Sequence, residues 1–221
     1  NAQPWQLNAA GRTVRVALHP VRSRTLLDVE PSASYLALGA LLENMAIAAA
    51  GRGQHLDVAA FPEGAVARVE LRDGPGPEAG ELAPLAPLVA LRHTNRRVGP
   101  RVPLTRSEVG ELVAAALCHG AELSLVQDEA ALAALGRVIG RGDRLRALNA
   151  SLATDLRAEL SFAPAAAVRD AIAIDTVEPT ALERAAFRLL TRPEVVARVR
   201  ENGAGERMEE SARVALACSS A

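Results

Sequence analysis

Between Leu82 and Ser107 the chain carries five arginines and no acidic residue. Arg92, Arg96, Arg97 and Arg101 fall within "LRHTNRRVGPR", and Arg106 follows shortly after. Guanidinium groups crowded together without counter-charges repel one another unless an anion or solvent screens them. A phosphate dianion needs several convergent donors, and bidentate arginine contacts are the strongest available. Thr94 adds a hydroxyl donor, and Gly99 with Pro100 predicts a tight bend. This is the chemistry of a loop that grips a phosphate on a small cofactor; the alternative is a solvated basic loop.

A second cluster, "NAQPW", opens the chain. Asn1 and Gln3 bring amides, Pro4 a rigid backbone and Trp5 a large ring. Amide side chains can read the edge of a heterocycle that carries both donors and acceptors. The alternative is that Trp5 anchors the core while Asn1 and Gln3 satisfy strand-end backbone.

Nothing else in the sequence assembles a catalytic or metal-binding constellation. His19, His55, His93 and His119 show no ligand spacing. Cys118 and His119 are neighbours at a predicted helix end, where adjacent side chains do not face each other. Glu43 and Asn44 interrupt an apolar helix, and buried polar groups on such a helix usually satisfy nearby backbone. No side chain is therefore assigned as a catalytic acid, base or nucleophile.

The elements that must hold these clusters follow from composition and patterning. The chain has 221 residues, 49% hydrophobic but only 2% aromatic, so its core is built from Ala, Leu and Val. That length fits one large domain or two halves. The 26 acidic residues nearly cancel 25 basic ones, all Arg, leaving −1; this argues against nucleic acid as a partner. The two cysteines lack CxxC spacing, which favours a reducing, cytoplasmic setting. The sequence shows no signal-peptide pattern, and "YLALGALLENMAIAAAG" reads as too short and too interrupted for a membrane span. Because it starts without Met and ends on "ARVALACSSA", read as a strand, the chain is expected to be a fragment lacking both termini.

Residues 5–18 read as a hairpin with "NAAG" as its turn. Pro31 and Ser32 open a helix to about Gly51, apolar nearly all round and so expected to be buried on most faces. "HLDVAAF", the turn "PEG" and "ARVELRD" form a second hairpin, with Val69 and Leu71 inward and Arg68, Glu70 and Arg72 outward. The Pro/Gly stretch 73–81 is the expected internal boundary. Beyond it, "LAPLVALRHT" reads as a short helix. A helix with a Thr105/Glu108 capping box follows, then "AELSLVQ" as a strand. Residues 128–140, 143–160 and 180–201 read as helices, 171–179 as a loop or short strand, and 212–218 as a last strand. "AIAAAGRGQHLDVAAF" and "LVAAALCHGAELSLV" share a helix–Gly–strand pattern that hints at a repeat.

"NAQPW" followed by a hairpin resembles the N-x-Q-P-W segment of nitroreductase-like FMN flavoproteins, and "LGALLENMAIAAAGRG" resembles that family's central helix. "LRHTNRRV" resembles the family's R-x-[ST]-x-R phosphate motif, and more closely the R-R-T-N-R-R signature of its Acg-like branch, in which two modules are fused. The resemblance implies an α+β, nitroreductase-like fold with antiparallel-rich sheets, a central buried helix and two pseudo-repeated modules. The first, N-terminally truncated, would span residues 1–81 and the second 82–221. FMN is the implied cofactor. Arg92, Thr94 and Arg96, with Arg97, would hold its phosphate, and Asn1 and Gln3 would lie near the flavin ring. "VRDAIAID" resembles the branch's D-G-I-P stretch, which places Asp170 and Ala171 near flavin N5; Ala171 stands where Gly is usual. The implied activity is electron transfer from NAD(P)H through FMN to a quinone, nitro compound or similar small acceptor. No nucleic acid or membrane partner is expected, and the assembly is a monomeric pseudo-dimer or a homodimer. Two alternatives stay open: an FMN-sequestering protein without turnover, and a non-flavin interaction module whose arginine loop meets an acidic partner.

Overall fold

The chain folds as an α+β structure built on an antiparallel sheet. The computed structural model describes residues 3–23, 28, 30–92, 102–164, 168, 171–177, 179–190, 192–203, 206 and 209. Two compact units divide it, one of Asn1–Asn95 with Arg169–Ile172, the other of Arg96–Val168 with Ala173–Ala221.

In the first unit β1 (Trp5–Ala10) and β2 (Thr13–Leu18) run antiparallel with Trp5 opposite Leu18 and Ala10 opposite Thr13. The turn is therefore Gly11–Arg12, not "NAAG". Gly11 takes φ 58 while Arg12 stays out of the left-handed region. A glycine at the first central position suits the primed turns whose twist matches the strands, so Asn8 to Ala10 stay in the ladder. Helix α1 (Ser32–Ala50) crosses to a second hairpin, β3 (Gln54–Ala60) and β4 (Ala67–Asp73), and β4 pairs with β2. The sheet order is β1-β2-β4-β3. On β4 the alternation read from sequence holds at Arg68, Val69 and Arg72, exposed, buried and exposed in turn, whereas Glu70 and Leu71 are both half-buried.

Leu38 sits over the two inner strands in a cluster with Val16, Ala67 and Val69, flanked by Leu41, Leu42 and Met45 of the same helix. The far side of α1 is not covered as the sequence pattern predicts. Only Ser34, Leu38, Ile47, Ala49 and Ala50 are buried, and Leu36 is 77% exposed. The physical reason is that a single sheet lies along the helix, joined towards its C-terminal end by α2 (Ala79–Leu82) and α3 (Ala86–Val89). Gly51 lets α1 and α3 approach, since a Cβ there would lie 2.4 Å from that of Ala86. By length and composition α1 does reach what is needed to cross a membrane, contrary to the sequence reading. Leu38, with Leu41 and Leu42, packs on the sheet.

The second unit is mainly helical: α4 (Arg106–Cys118), α5 (Glu129–Leu148), α6 (Ala150–Glu159), α7 (Ala181–Leu190) and α8 (Pro193–Glu201). Thr105 caps α4 through the predicted box. Residues 121–127 form no ladder with the described residues, so the strand expected there is not seen among them: after α4 the turn reaches Gly120 with φ 71, and Ala121 N–H bonds back to Ala116 O. The helix break expected near 141–142 falls instead at Asn149. Gly140 is packed, with a Cβ there set to meet Glu209 O at 2.4 Å, whereas Asn149 leaves helical geometry and accepts from Ser151 and Leu152 N–H. Pro193 splits the helix expected over 180–201, because the residue before a proline avoids helical geometry; Arg192 is extended. Short strands β5 (Leu160–Ser161) and β6 (Ile172–Ala173) pair, and a 3-10 turn covers Ile174–Val177. The strand expected at 212–218 lies outside the described residues.

Leu38 is 1% exposed and Leu36 77%. Leu38→Ala should therefore cost about 2–5 kcal/mol, while Leu36→Ala stays within about 0.5 kcal/mol. Urea unfolding midpoints of the two variants test this, and equal midpoints would contradict the placement of the core.

Candidate functional site

The amide segment is fixed by its last two residues. Pro4 is buried and its carbonyl accepts from His19 N–H at 2.7 Å. Trp5 is half-buried and packs against the core cluster of Val16, Leu38, Ala67 and Val69. Its ring is thus committed to the core, as the alternative reading had it. Gln3 is exposed just ahead of β1, and Asn1 lies outside the described residues.

The arginine segment is approached from α3. Arg92 N–H bonds to Leu88 O at 2.8 Å, and the residue is exposed. Its guanidinium has no carboxylate partner among the described residues. Thr94, Arg96 and Arg97, with Arg101, lie outside the described residues. The division between the compact units falls between Asn95 and Arg96, within this motif. Of the third segment, Asp170 lies outside the described residues, and Ala171 is half-buried in a bend before β6.

On the far side of the motif, Glu108 is the first acid after the arginine window, and its carboxylate forms a helix cap. Its carboxylate accepts from Thr105 N–H at 2.7 Å and Thr105 Oγ1 at 2.8 Å, while Glu108 N–H returns a bond to Thr105 Oγ1 at 3.3 Å. The Thr105 backbone bond, with the hydroxyl second, holds the Glu108 carboxyl below its ordinary range. Arg106, beside it, has no carboxylate partner among the described residues. At the described edges of the window, Arg92 and Arg106 therefore offer guanidiniums that form no ion pair among the described residues.

Other arginines of the first unit are already engaged. Arg12 meets Asp73 at 2.5 Å and Leu71 O at 2.9 Å. Arg12 first, then Gln54, draws the Asp73 carboxyl below its usual range. Arg72 bonds Asp57 at 2.8 Å and Glu70 at 2.9 Å; the Asp57 bond, then the charge of Glu70, raises its pKa further. Arg15, opposite Arg68 across the strands, turns to Gly64 O at 2.7 Å. Asn44 bonds Ala40 O at 2.7 Å, satisfying backbone as expected. His119 caps the end of α4, and Cys118 is an exposed thiol. Among the described residues no cluster of His, Cys, Asp or Glu could hold a metal ion.

One positioning residue escaped the sequence reading. Asp28 accepts from Ala33 N–H at 2.7 Å, Ser34 N–H at 3.1 Å and Ser34 Oγ at 2.5 Å, fixing the start of α1. The signal was available as an aspartate shortly before a helix whose N-cap position is Pro31, which has no side chain able to cap it.

No family model matches the chain. It is similar to Uncharacterized protein MT1398 of Mycobacterium tuberculosis (strain CDC 1551 / Oshkosh), with 25% identity over 224 residues. The match covers all of this chain and 31% of that protein, so the chain spans about a third of the length of the curated relative it matches.

A lowered carboxylate pKa contributes stability that is present above the ordinary carboxylate range and lost as pH falls through the folded value. Amide exchange protection at Thr105 and Glu108 should therefore persist through the ordinary carboxylate range and drop only below it. Glu108→Gln should lower protection at Thr105 already at neutral pH and abolish the acid step. A step that survives in Glu108→Gln would assign it to another group.

Proposed function

We propose that the chain is a nitroreductase-like, FMN-binding protein of the two-module Acg-like type. It acts as an oxidoreductase between NAD(P)H and a quinone, nitro compound or similar small acceptor. The observation that carries the reading is the order of two motifs along one chain. "NAQPW" leads into a hairpin with a long apolar helix packed on its sheet, and "LRHTNRRV" follows. The chain spans about a third of the relative it matches, so the activity of a whole protein is part of the proposal.

The donor set fits the cofactor's phosphate. Arg92 is exposed and unmatched by acid among the described residues, and Glu108 is held by its own cap. In this reading Arg92, Thr94 and Arg96 grip the phosphate, with Arg97 beside them. Asn1 and Gln3 offer amides to the polar edge of the ring. The Asp170–Ala171 backbone offers an N–H to the ring's central nitrogen, where a donor favours the reduced state. When bound, FMN supplies the redox chemistry, accepting hydride from a nicotinamide and passing electrons onward. The protein's own work is binding, orienting and shielding, which suits a sequence without a catalytic acid, base or nucleophile. Either a single chain forming a pseudo-dimer or a homodimer would complete the assembly.

The test is a flavin titration of the purified chain followed by reduction with NADPH. FMN should bind, and Arg96→Ala should weaken it by about tenfold or more, the scale of a lost charged hydrogen bond. Arg72→Ala should leave it unchanged, because Arg72 is occupied by Asp57 and Glu70. Equal effects of the two substitutions would refute the phosphate assignment. Flavin that binds but resists NADPH would leave a sequestering protein in place of an enzyme.

A further inference from the structure

Strand β1 is an edge of the first unit's sheet. It has β2 on one side and, among the described residues, no strand on the other. Every residue of β1 after Trp5 is exposed. Edge strands ordinarily carry a charge, a proline or a bulge that discourages pairing with another chain. β1, "WQLNAA", has no charged residue and no proline, and its register with β2 runs unbroken from Trp5–Leu18 to Ala10–Thr13. The opposite edge, β3, carries Asp57 at its middle.

Just ahead of the ladder, His19 N–H bonds Pro4 O at 2.7 Å. Hydrogen-bonded pairs alternate along an antiparallel ladder, so Gln6, Asn8 and Ala10 direct N–H and C=O to β2. Trp5, Leu7 and Ala9 direct theirs away from the sheet. A second β1, antiparallel and centred on Leu7, satisfies all of these groups. Leu7 exchanges its two bonds with the second copy's Leu7, and Trp5 does the same with the second copy's Ala9. A shift of one residue would set the outward groups against Gln6 or Asn8, whose own are already used. The same register matches side chains. Leu7, opposite Val16 of the core, is 44% exposed and meets its own image at the rim of the apolar face. On the other face Gln6 meets Asn8 of the second copy. Neither amide is hydrogen-bonded among the described residues, and each offers both a donor and an acceptor.

We propose that β1 is a dimer interface. Two copies of this chain join edge to edge about a two-fold axis at Leu7, continuing the sheet from one copy into the other. A two-fold interface requires a surface complementary to itself. β1 meets that requirement in its outward backbone groups, in its amides and in Leu7. A strand without charge also sets no like charges opposite one another when it pairs with its own image. This interface needs no flavin and uses no residue of the arginine-rich motif.

Analytical ultracentrifugation of the full chain without flavin, over a range of concentrations, tests it. The chain should sediment as a dimer that dissociates on dilution. Leu7→Arg sets like charges face to face at the axis and should weaken the dimer by about tenfold or more. Leu7→Glu should do the same, and mixing the two variants should restore association, because opposite charges then meet. Ala9→Pro removes an N–H that faces away from β2, a change an edge strand tolerates, and should also weaken the dimer. Circular dichroism checks that each variant stays folded. A chain that is monomeric at every concentration would overturn the interface. So would a dimer undiminished in both Leu7→Arg and Ala9→Pro, or assembly that grows past the dimer, since a two-fold pairing closes. Leu7→Arg and Leu7→Glu that fail to associate when mixed would overturn the axis at Leu7. A chain that dimerises in this way yet binds no FMN would sink the flavin reading alone.

Discussion

Leu38 set against Val16, Ala67 and Val69 is the contact on which the first unit depends. It joins α1 to β2 and β4, the inner strands of the sheet, and these belong to different hairpins. Without it the hairpins share only the ladder from Thr13–Glu70 to Val16–Ala67, and an exposed ladder adds little net stability of its own. With one Trp, one Tyr and three Phe in the chain, few large rings are available to fill gaps between layers, and Trp5 is the one packed against this cluster among the described residues. The interior is closed by approach instead. Gly51 brings α1 against Ala86 of α3, and Gly140 brings α5 against the backbone of Glu209. Small side chains make such a core sensitive to added volume at these contacts, because overpacking displaces backbone as readily as a cavity weakens it.

A chain whose cations are all arginine has to sort them. Some serve the fold: Arg12 and Arg72 brace strand edges through Asp73, Asp57 and Glu70, Arg15 serves loop carbonyls, and Arg146 ties α5 to α6 through Glu159. Exposed pairs of this kind add little stability; their consequence is that those guanidiniums are unavailable to a ligand. Others carry no such commitment among the described residues, and Arg92, Arg106 and Arg192 are in that group. Two of the three, Arg92 and Arg106, belong to the acid-free window. Glu108 and Glu183 each bond a threonine at a helix start, Glu108 to Thr105 and Glu183 to Thr180.

Much of the first unit was legible because its signals are local. Period-two alternation in Val14, Val16 and Leu18 and again in Val69 and Leu71 marked both hairpins, and the Thr105/Glu108 pair marked the start of α4. What was not legible depends on neighbours. The burial of α1 could not be read from its composition, since apolar residues all round say nothing of how many layers surround the helix. The turn of the first hairpin moved because Gly11 alone could take the left-handed position, so the strand absorbed residues that look like turn formers. For the candidate site, Trp5 shows how a residue type admits two roles that only packing separates. Thr94, Arg96 and Arg97 are known by type and order alone.

The second unit shows why glycine is an ambiguous stop signal. "GRVIGRGDR" carries three glycines and reads as a break, yet α5 runs through all of them. Glycine weakens a helix by about 1 kcal/mol relative to alanine, which twenty residues of continuous hydrogen bonding can offset when a glycine is also needed for contact. Gly140 is so needed, since any side chain would strike Glu209. At Gly120 the same residue type does end a helix, because nothing packs there, φ is 71, and the chain turns back on Ala116. The difference lies in the partner each glycine faces, not in the glycine. The helix–Gly–strand echo between the two halves fails at the same point: the exit past Gly53 leads to β3, which finds β4, while the exit past Gly120 leads to a segment with no ladder among the described residues.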